Sequence, residues 1–164
     1  MKADELKAKL KRRQEPVLKA DDFLNTGSTL LNLACSGKPK GGFPKGCYIL
    51  LVGDSASGKT FLSMTCFAEA CLSKAFKHFR LIYDGTEYGM LMDVARFFGE
   101  AVAARLSSPV TDATGLPEFS HTVEDFYFNL DNALKAKQPC LYILDSMDCL
   151  TSEEEDSNFQ ERKE

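Results

Sequence analysis

The stretch Leu51-Val52-Gly53-Asp54-Ser55-Ala56-Ser57-Gly58-Lys59-Thr60 decides how this chain is read. It runs from an apolar segment through a loop of small residues into the first turn of a helix. Upstream, Cys47-Tyr48-Ile49-Leu50-Leu51-Val52 is a continuous apolar run of strand length. Such a run is expected of a parallel strand buried on both faces. Downstream, Phe61 to Ser73 contains no Gly or Pro and reads as helix.

Gly53 to Thr60 fits G-x-x-x-x-G-K-[ST], the phosphate-binding loop or Walker A motif. Successive backbone N–H groups in a curled loop, with the positive end of the following helix, form a site for polyphosphate. Gly53 and Gly58 allow the chain to curl and phosphate oxygens to approach the backbone. Lys59 is expected to reach the β- and γ-phosphates, and the Thr60 hydroxyl to hold Mg²⁺. The loop therefore predicts ATP with Mg²⁺ as cofactors, and Gly53, Asp54, Ser55, Ala56, Ser57, Gly58, Lys59 and Thr60 as binding residues.

The rest of the chain follows a strand–helix alternation. Phe79 to Asp84 is the second strand candidate, and Cys140 to Asp145 the third. Tyr88 to Arg105 reads as helix, with Leu91, Val94, Ala95, Phe98, Ala101 and Val102 on one face and Gly99 as a point of weakness. Val123 to Ala136 reads as a helix capped by Thr122, with Phe126, Leu130, Ala133 and Leu134 toward the core. Ser28 is a cap for a short helix over residues 29–33, and Gly37 to Gly46 is a loop. Ser107 to Ser120, with Pro109, Gly115 and Pro117, reads as an inserted loop. Ala3 to Gln14 reads as a helix with only Leu6 and Leu10 on its apolar side. The alternation predicts an α/β fold with a parallel sheet covered by helices on both faces and right-handed crossovers. Ligands in such sheets bind at the carboxyl ends of the strands.

Two further polar sites fall at those ends. Asp145-Ser146 follows four apolar residues, the form of a carboxylate that orients the Mg²⁺ shell. Ser146 is a candidate contact to the γ-phosphate, and equally a group that satisfies the backbone. In Asp84-Gly85-Thr86-Glu87, Glu87 is the candidate base that polarises the attacking water, and Asp84 is its competitor. Glu87 and Lys59 are the catalytic candidates, and Thr60 and Asp145 the metal-holding pair.

Composition bounds these readings. A chain of 164 residues, 44% of them hydrophobic, is of one-domain length with enough apolar content for a core. No apolar run approaches the roughly 20 residues of a membrane span, and the N-terminus lacks the apolar stretch of a secretory signal. The expectation is a cytoplasmic protein without a membrane partner. The six cysteines contain no C-x-x-C pair and read as buried thiols in a reducing compartment, not as a disulfide or zinc framework. Charge is uneven: residues 1–19 carry seven Lys/Arg against three Asp/Glu, while residues 145–164 carry eight Asp/Glu against two Lys/Arg. Residues 152–164 are expected to be partly disordered.

Taken together, these segments resemble the RecA family of recombinases. Asn25-Thr26-Gly27-Ser28 with Leu30, Leu31 and Leu33 is similar to the family's Thr-Gly-Ser segment and short helix. Gly41-Gly42-Phe43-Pro44-Lys45-Gly46 is similar to its Gly-Gly-Leu-Pro-x-Gly loop, and Gly53 to Thr60 to Gly-Pro-Glu-Ser-Ser-Gly-Lys-Thr. Leu144-Asp145-Ser146 with Leu150-Thr151 is similar to its Val-Asp-Ser…Leu-Thr segment. Order and spacing agree from about Phe23 to Thr151.

The resemblance implies a RecA-type P-loop ATPase of homologous recombination and DNA repair, in which residues 23–151 are the ATP-binding core. It implies single-stranded DNA as a partner of the complete protein, DNA-stimulated hydrolysis, and filament formation through the N-terminal helix and linker, residues 1–22. Two departures stand out. Asp54 replaces the family's usual Pro, and Glu87 lies three residues after the strand-end Asp84 where the family has two. The insertion-like residues 107–120 are more in keeping with phage-type relatives, hence a bacterial cell or a phage-infected host. The family continues past Leu-Thr into DNA-binding loops and further strands, so the fold is expected to be incomplete at its C-terminal end. The acidic residues 152–164 then form the tail of a truncated protein or of a naturally short paralogue. The alternatives are a RecA-fold ATPase of helicase or circadian-clock type, and a non-hydrolysing nucleotide-binding adaptor.

Overall fold

The computed structural model describes residues 18–86 and 92–161. Its centre is a parallel sheet of three strands: β3 (Arg80–Gly85), flanked by β4 (Leu106–Ser107) and β7 (Cys140–Asp145). The β3–β7 ladder runs from Arg80 beside Cys140 to Gly85 beside Asp145. Both strands therefore end at the same edge, as parallel strands in register must.

Two short antiparallel pairs lie outside this sheet. β1 (Phe23–Leu24) pairs with β2 (Phe43–Pro44), and β5 (Val110–Thr111) pairs with β6 (Pro117–Glu118). Helices cover both faces of the sheet. On one face, α2 (Lys59–Leu72) lays Met64, Phe67 and Ala70 against Leu81, Tyr83, Leu141 and Ile143. Val102 of α4 (Glu100–Ala103) joins this cluster, and Phe98 of α3 (Val94–Phe98) stacks on Phe61 with ring centroids 5.1 Å apart. On the other face, Phe126 of α5 (Val123–Lys135) meets Tyr142 edge-on. This is the alternation of side chains that a strand imposes, with Leu81 and Tyr83 up and Ile82 and Asp84 down.

Local chemistry explains the element ends. The Ser28 hydroxyl accepts the Leu31 N–H and starts α1 (Thr29–Ser36), which stops at Gly37 in the left-handed region. Thr122 and Asp125 form a reciprocal capping box at the head of α5. Behind it, Arg80 donates to the carbonyl of Ala133 in the last turn of α5, at 2.7 Å.

Several expectations are corrected. The apolar run Cys47 to Val52 is not a buried strand. It joins no ladder with the described strands, and Tyr48, Leu50 and Val52 are 72%, 69% and 86% exposed. An apolar run states what a segment needs, but burial on both faces requires a neighbouring strand and covering helices. The described residues provide neither for this segment.

The single helix expected over 88–105 is two short ones, interrupted at Gly99 (φ +90°), and residues 87–91 lie outside the described residues. Leu134 is 69% exposed because the buried stripe of α5 runs through Phe126, Asn129 and Ala133, one step round the helix. Residues 107–120 are not a plain loop. Ser107 belongs to β4, and the β5–β6 hairpin is closed by Asp112, whose carboxylate accepts the Thr114 and Leu116 N–H groups. A bond from the Thr114 hydroxyl, and then those from the backbone, hold the Asp112 carboxyl below its usual range.

Within the acidic end, residues Glu153–Glu161 form α6, and 162–164 lie outside the described residues. Ser152 and Glu155 cap it reciprocally, and acidic residues suit the positive end of a helix. Among the cysteines only Cys66 is fully buried, its thiol pushed up to about 12 by burial and then by the charge of Glu69; Cys35, Cys47 and Cys149 are exposed, and all six are free thiols. The N-terminal helix expected over 3–14 lies outside the described residues. Among the described residues, no helix is long and apolar enough to cross a membrane.

Candidate functional site

Residues 53–60 form a tight loop that feeds directly into α2. Ser57 N–H closes a turn on the Asp54 carbonyl. Ala56 takes a positive φ of 59° and Gly58 one of 90°, so two of three successive residues lie in the left-handed region. That alternation curls the backbone and turns its N–H groups inward. At Gly53 a Cβ would sit 2.7 Å from the Ser57 hydroxyl oxygen, so any larger residue would displace that hydroxyl. Gly58 precedes the helix and brings no capping side chain, so the first-turn N–H groups are left for an acceptor from outside.

Lys59 folds back over this loop. Its ammonium donates to the carbonyls of Gly53 (2.7 Å) and Asp54 (2.9 Å). The cation is thus held at the mouth of the curl, where an anion would meet it together with the helix end. A cavity of about 720 Å³ adjoins the loop, walled by Leu31, Phe43, Leu50 and Val52 and reaching Gly58 and Lys59.

Thr60, one residue into the helix, reaches the sheet. Its hydroxyl donates to Asp145 Oδ2 at 2.7 Å, across 85 residues of sequence. The Tyr83 hydroxyl donates to the same oxygen at 3.0 Å. A hydroxyl has two acceptor lone pairs besides its proton, so Thr60 can bond Asp145 and still offer oxygen to a cation. Thr60 and Asp145 are both half-buried. Among the described residues, no group of three or more His, Cys, Asp and Glu side chains is placed to hold a metal ion.

The ends of β3 and β7 are stitched together beside this point. Thr86 N–H donates to the Asp145 carbonyl, the Thr86 hydroxyl donates to the Ser146 carbonyl (2.8 Å), and Ser146 N–H donates back to that hydroxyl (2.9 Å). The peptide between Asp145 and Ser146 is cis. The Ser146 hydroxyl itself donates to Cys149 Sγ at 3.6 Å. Ser146 thus satisfies backbone and thiol groups, and its side chain makes no bond to the loop.

Asp84 and Asp145 lie on opposite faces of the sheet. Asp84 is fully buried and accepts three hydrogen bonds: Ser120 N–H (2.9 Å), Ser120 hydroxyl (2.6 Å) and Tyr142 hydroxyl (2.6 Å). Asn129 donates to the Ser120 hydroxyl in turn. Burial, and then the Asp84 hydrogen bond and charge, hold the Tyr142 phenol far above its usual range, so it remains a donor. This carboxylate fastens the end of the 107–120 segment to the sheet and has no access to the loop. Of the two carboxylates in the Asp84–Glu87 segment, Asp84 is thus engaged by three donors on the face away from Thr60. Glu87 lies outside the described residues.

The site thus brings together Gly53, Lys59, Thr60 and Asp145 at the carboxyl edge of the sheet. Tyr83 and Thr86 were not singled out by the motif pattern. Their signal was only positional: Tyr83 is the last large side chain before the end of β3, and Thr86 the first residue past it. No protein-family model, curated protein or solved structure matches this chain.

Proposed function

We propose that this chain is the nucleotide-binding core of a RecA-type ATPase of recombinational DNA repair, acting on ATP with magnesium. The observation that carries the reading is the Thr60–Asp145 hydrogen bond. It joins the hydroxyl of a phosphate-loop motif to a strand-end carboxylate, two groups whose sequence settings were read separately. Magnesium takes oxygen ligands, keeps several waters, and needs only one or two protein groups beside the phosphates. Thr60 and Asp145 fit that demand. When bound, the ion neutralises charge on the β- and γ-phosphates.

In this reading each part of the site has a role. The curled backbone from Gly53 to Gly58 and the head of α2 bind phosphate through N–H groups. Lys59 exchanges the Gly53 and Asp54 carbonyls for phosphate oxygens. Asp145 and Thr60 hold the cation side of the site. With Asp84 closed inside the core, polarising the attacking water falls to Glu87. The RecA-type assignment and the single-stranded DNA partner rest on the motif resemblance across residues 23–151, and self-association is assigned to residues 1–22.

ATP turnover by the chain, with and without single-stranded DNA, tests this function. Turnover that is lost in both Lys59→Ala and Glu87→Gln supports it. ATP binding without turnover in the wild type would favour the non-hydrolysing adaptor.

A further inference from the structure

Tyr83 is 5% exposed, on the α2 face of the sheet, among Leu81, Met64 and Phe67. In the β3–β7 register it stands beside Ile143, while the position beside Asp145 is Gly85. Gly85 has no side chain, so no β3 side chain stands directly across from the carboxylate. The Tyr83 ring reaches along the diagonal, a distance that aromatic side chains span between paired strands. Its hydroxyl arrives 3.0 Å from Asp145 Oδ2.

Asp145 Oδ2 therefore accepts two hydrogen bonds, one from the Thr60 hydroxyl in the helix and one from the Tyr83 hydroxyl in the sheet. The two differ in burial. Thr60 sits in the first turn of α2, directly after the exposed loop, whereas Tyr83 is locked in the core cluster. Asp145 is half-buried, and a carboxylate in that setting turns about its side-chain bonds unless something fixes it. The Tyr83 phenol is the more buried of the carboxylate's two donors.

We propose that Tyr83 is a positioning residue for the magnesium site, fixing the Asp145 carboxylate so that it faces Thr60 in readiness for the metal–nucleotide complex. The inference rests on the nucleotide-binding reading above. It gives Tyr83 no contact with nucleotide or metal, and it assigns the cost of losing the phenol to the metal-dependent part of binding alone.

The test is the Tyr83→Phe variant, which keeps the ring and its packing and removes only the hydroxyl. ATP affinity is measured by calorimetry in EDTA and across a series of magnesium concentrations, with the thermal midpoint followed in parallel. The expected result is unchanged affinity in EDTA and a rise of roughly three- to tenfold in the magnesium concentration needed for half-maximal binding, the scale of one hydrogen bond. In a second arm, Tyr83→Phe is added to Asp145→Asn and is expected to have no further effect on magnesium dependence, since the pair acts as one unit.

Equal losses in EDTA and magnesium would make Tyr83 a packing residue and overturn the proposal. So would an unchanged magnesium dependence, or additive effects of the two substitutions. A wild-type chain that binds no ATP in either condition would instead overturn the nucleotide reading, and this inference with it.

Discussion

Thr60 and Asp145 share a hydrogen bond of 2.7 Å between the first turn of α2 and the carboxyl end of β7. The bond ties the phosphate-loop motif to the sheet at the one edge where β3 and β7 both end. It makes the loop part of the folded core and not merely a surface turn. Asp145→Asn keeps the shape and an acceptor but removes the charge. The variant is expected to bind ATP in EDTA like the wild type and to lose roughly tenfold or more of its magnesium-dependent affinity, since hydrogen bonds to charged groups are worth about 1.5–3 kcal/mol. Titration with and without magnesium checks this.

Asp84 and Glu87 are expected to separate cleanly. Asp84→Ala leaves the Ser120 N–H, the Ser120 hydroxyl and the Tyr142 hydroxyl without their acceptor inside the core. Leaving a buried donor unsatisfied costs about 1–3 kcal/mol, so a loss of at least that size is expected. Urea denaturation should show that loss directly. Glu87→Gln should leave the denaturation midpoint in place and abolish turnover while retaining ATP binding. A destabilised Glu87→Gln with normal turnover would reverse the two roles.

The capping box of α5 carries a pH dependence. Burial works against the charged form of Asp125, but the hydrogen bonds from the N–H groups of Thr122 and His121 and from the Thr122 hydroxyl outweigh it, so the carboxyl lies below its ordinary value of 3.8. A depressed folded value means stability that is present above 3.8 and lost as pH falls through the lowered value. Asp125→Asn should therefore flatten part of the acid-side loss of stability. Thr122→Ala should cost about 1 kcal/mol at neutral pH, the usual worth of such a cap. Acid titration followed by circular dichroism measures both.

Residues 1–15 carry Leu6 and Leu10, four positions apart, among dense positive charge. Their deletion is expected to reduce self-association in sedimentation, with no change in ATP affinity. Undiminished association would remove the assignment of that role to this segment.

Much of the site was legible in the sequence because its parts are local. The Gly53 to Thr60 pattern reports a curl that depends on residues a few positions apart, and Ala56 and Gly58 adopt the positive φ values such a curl uses. Asp145 was legible because β7 and its end are marked by apolar residues followed by a carboxylate. The Tyr83–Asp145 hydrogen bond was hidden because it depends on pairing register, with Gly85 and not Tyr83 directly across from Asp145. The structural role of Asp84 was hidden for a similar reason: its partner Ser120 lies 36 residues away at the end of an irregular segment. The run Cys47 to Val52 shows the opposite failure. Its pattern is strand-like, yet no periodicity can tell whether a neighbouring strand lies beside it. The helix over 153–161 was legible in the Ser152 and Glu155 pair, but the weight of acidic charge pointed the other way.

The most direct test is calorimetric titration of ATP with magnesium into the wild-type chain beside Lys59→Ala. Wild-type binding that Lys59→Ala abolishes is the predicted result, because the ammonium held by the Gly53 and Asp54 carbonyls is the loop's own cation. Absence of binding in the wild type, or equal affinity in both proteins, would contradict the nucleotide site on which the account stands.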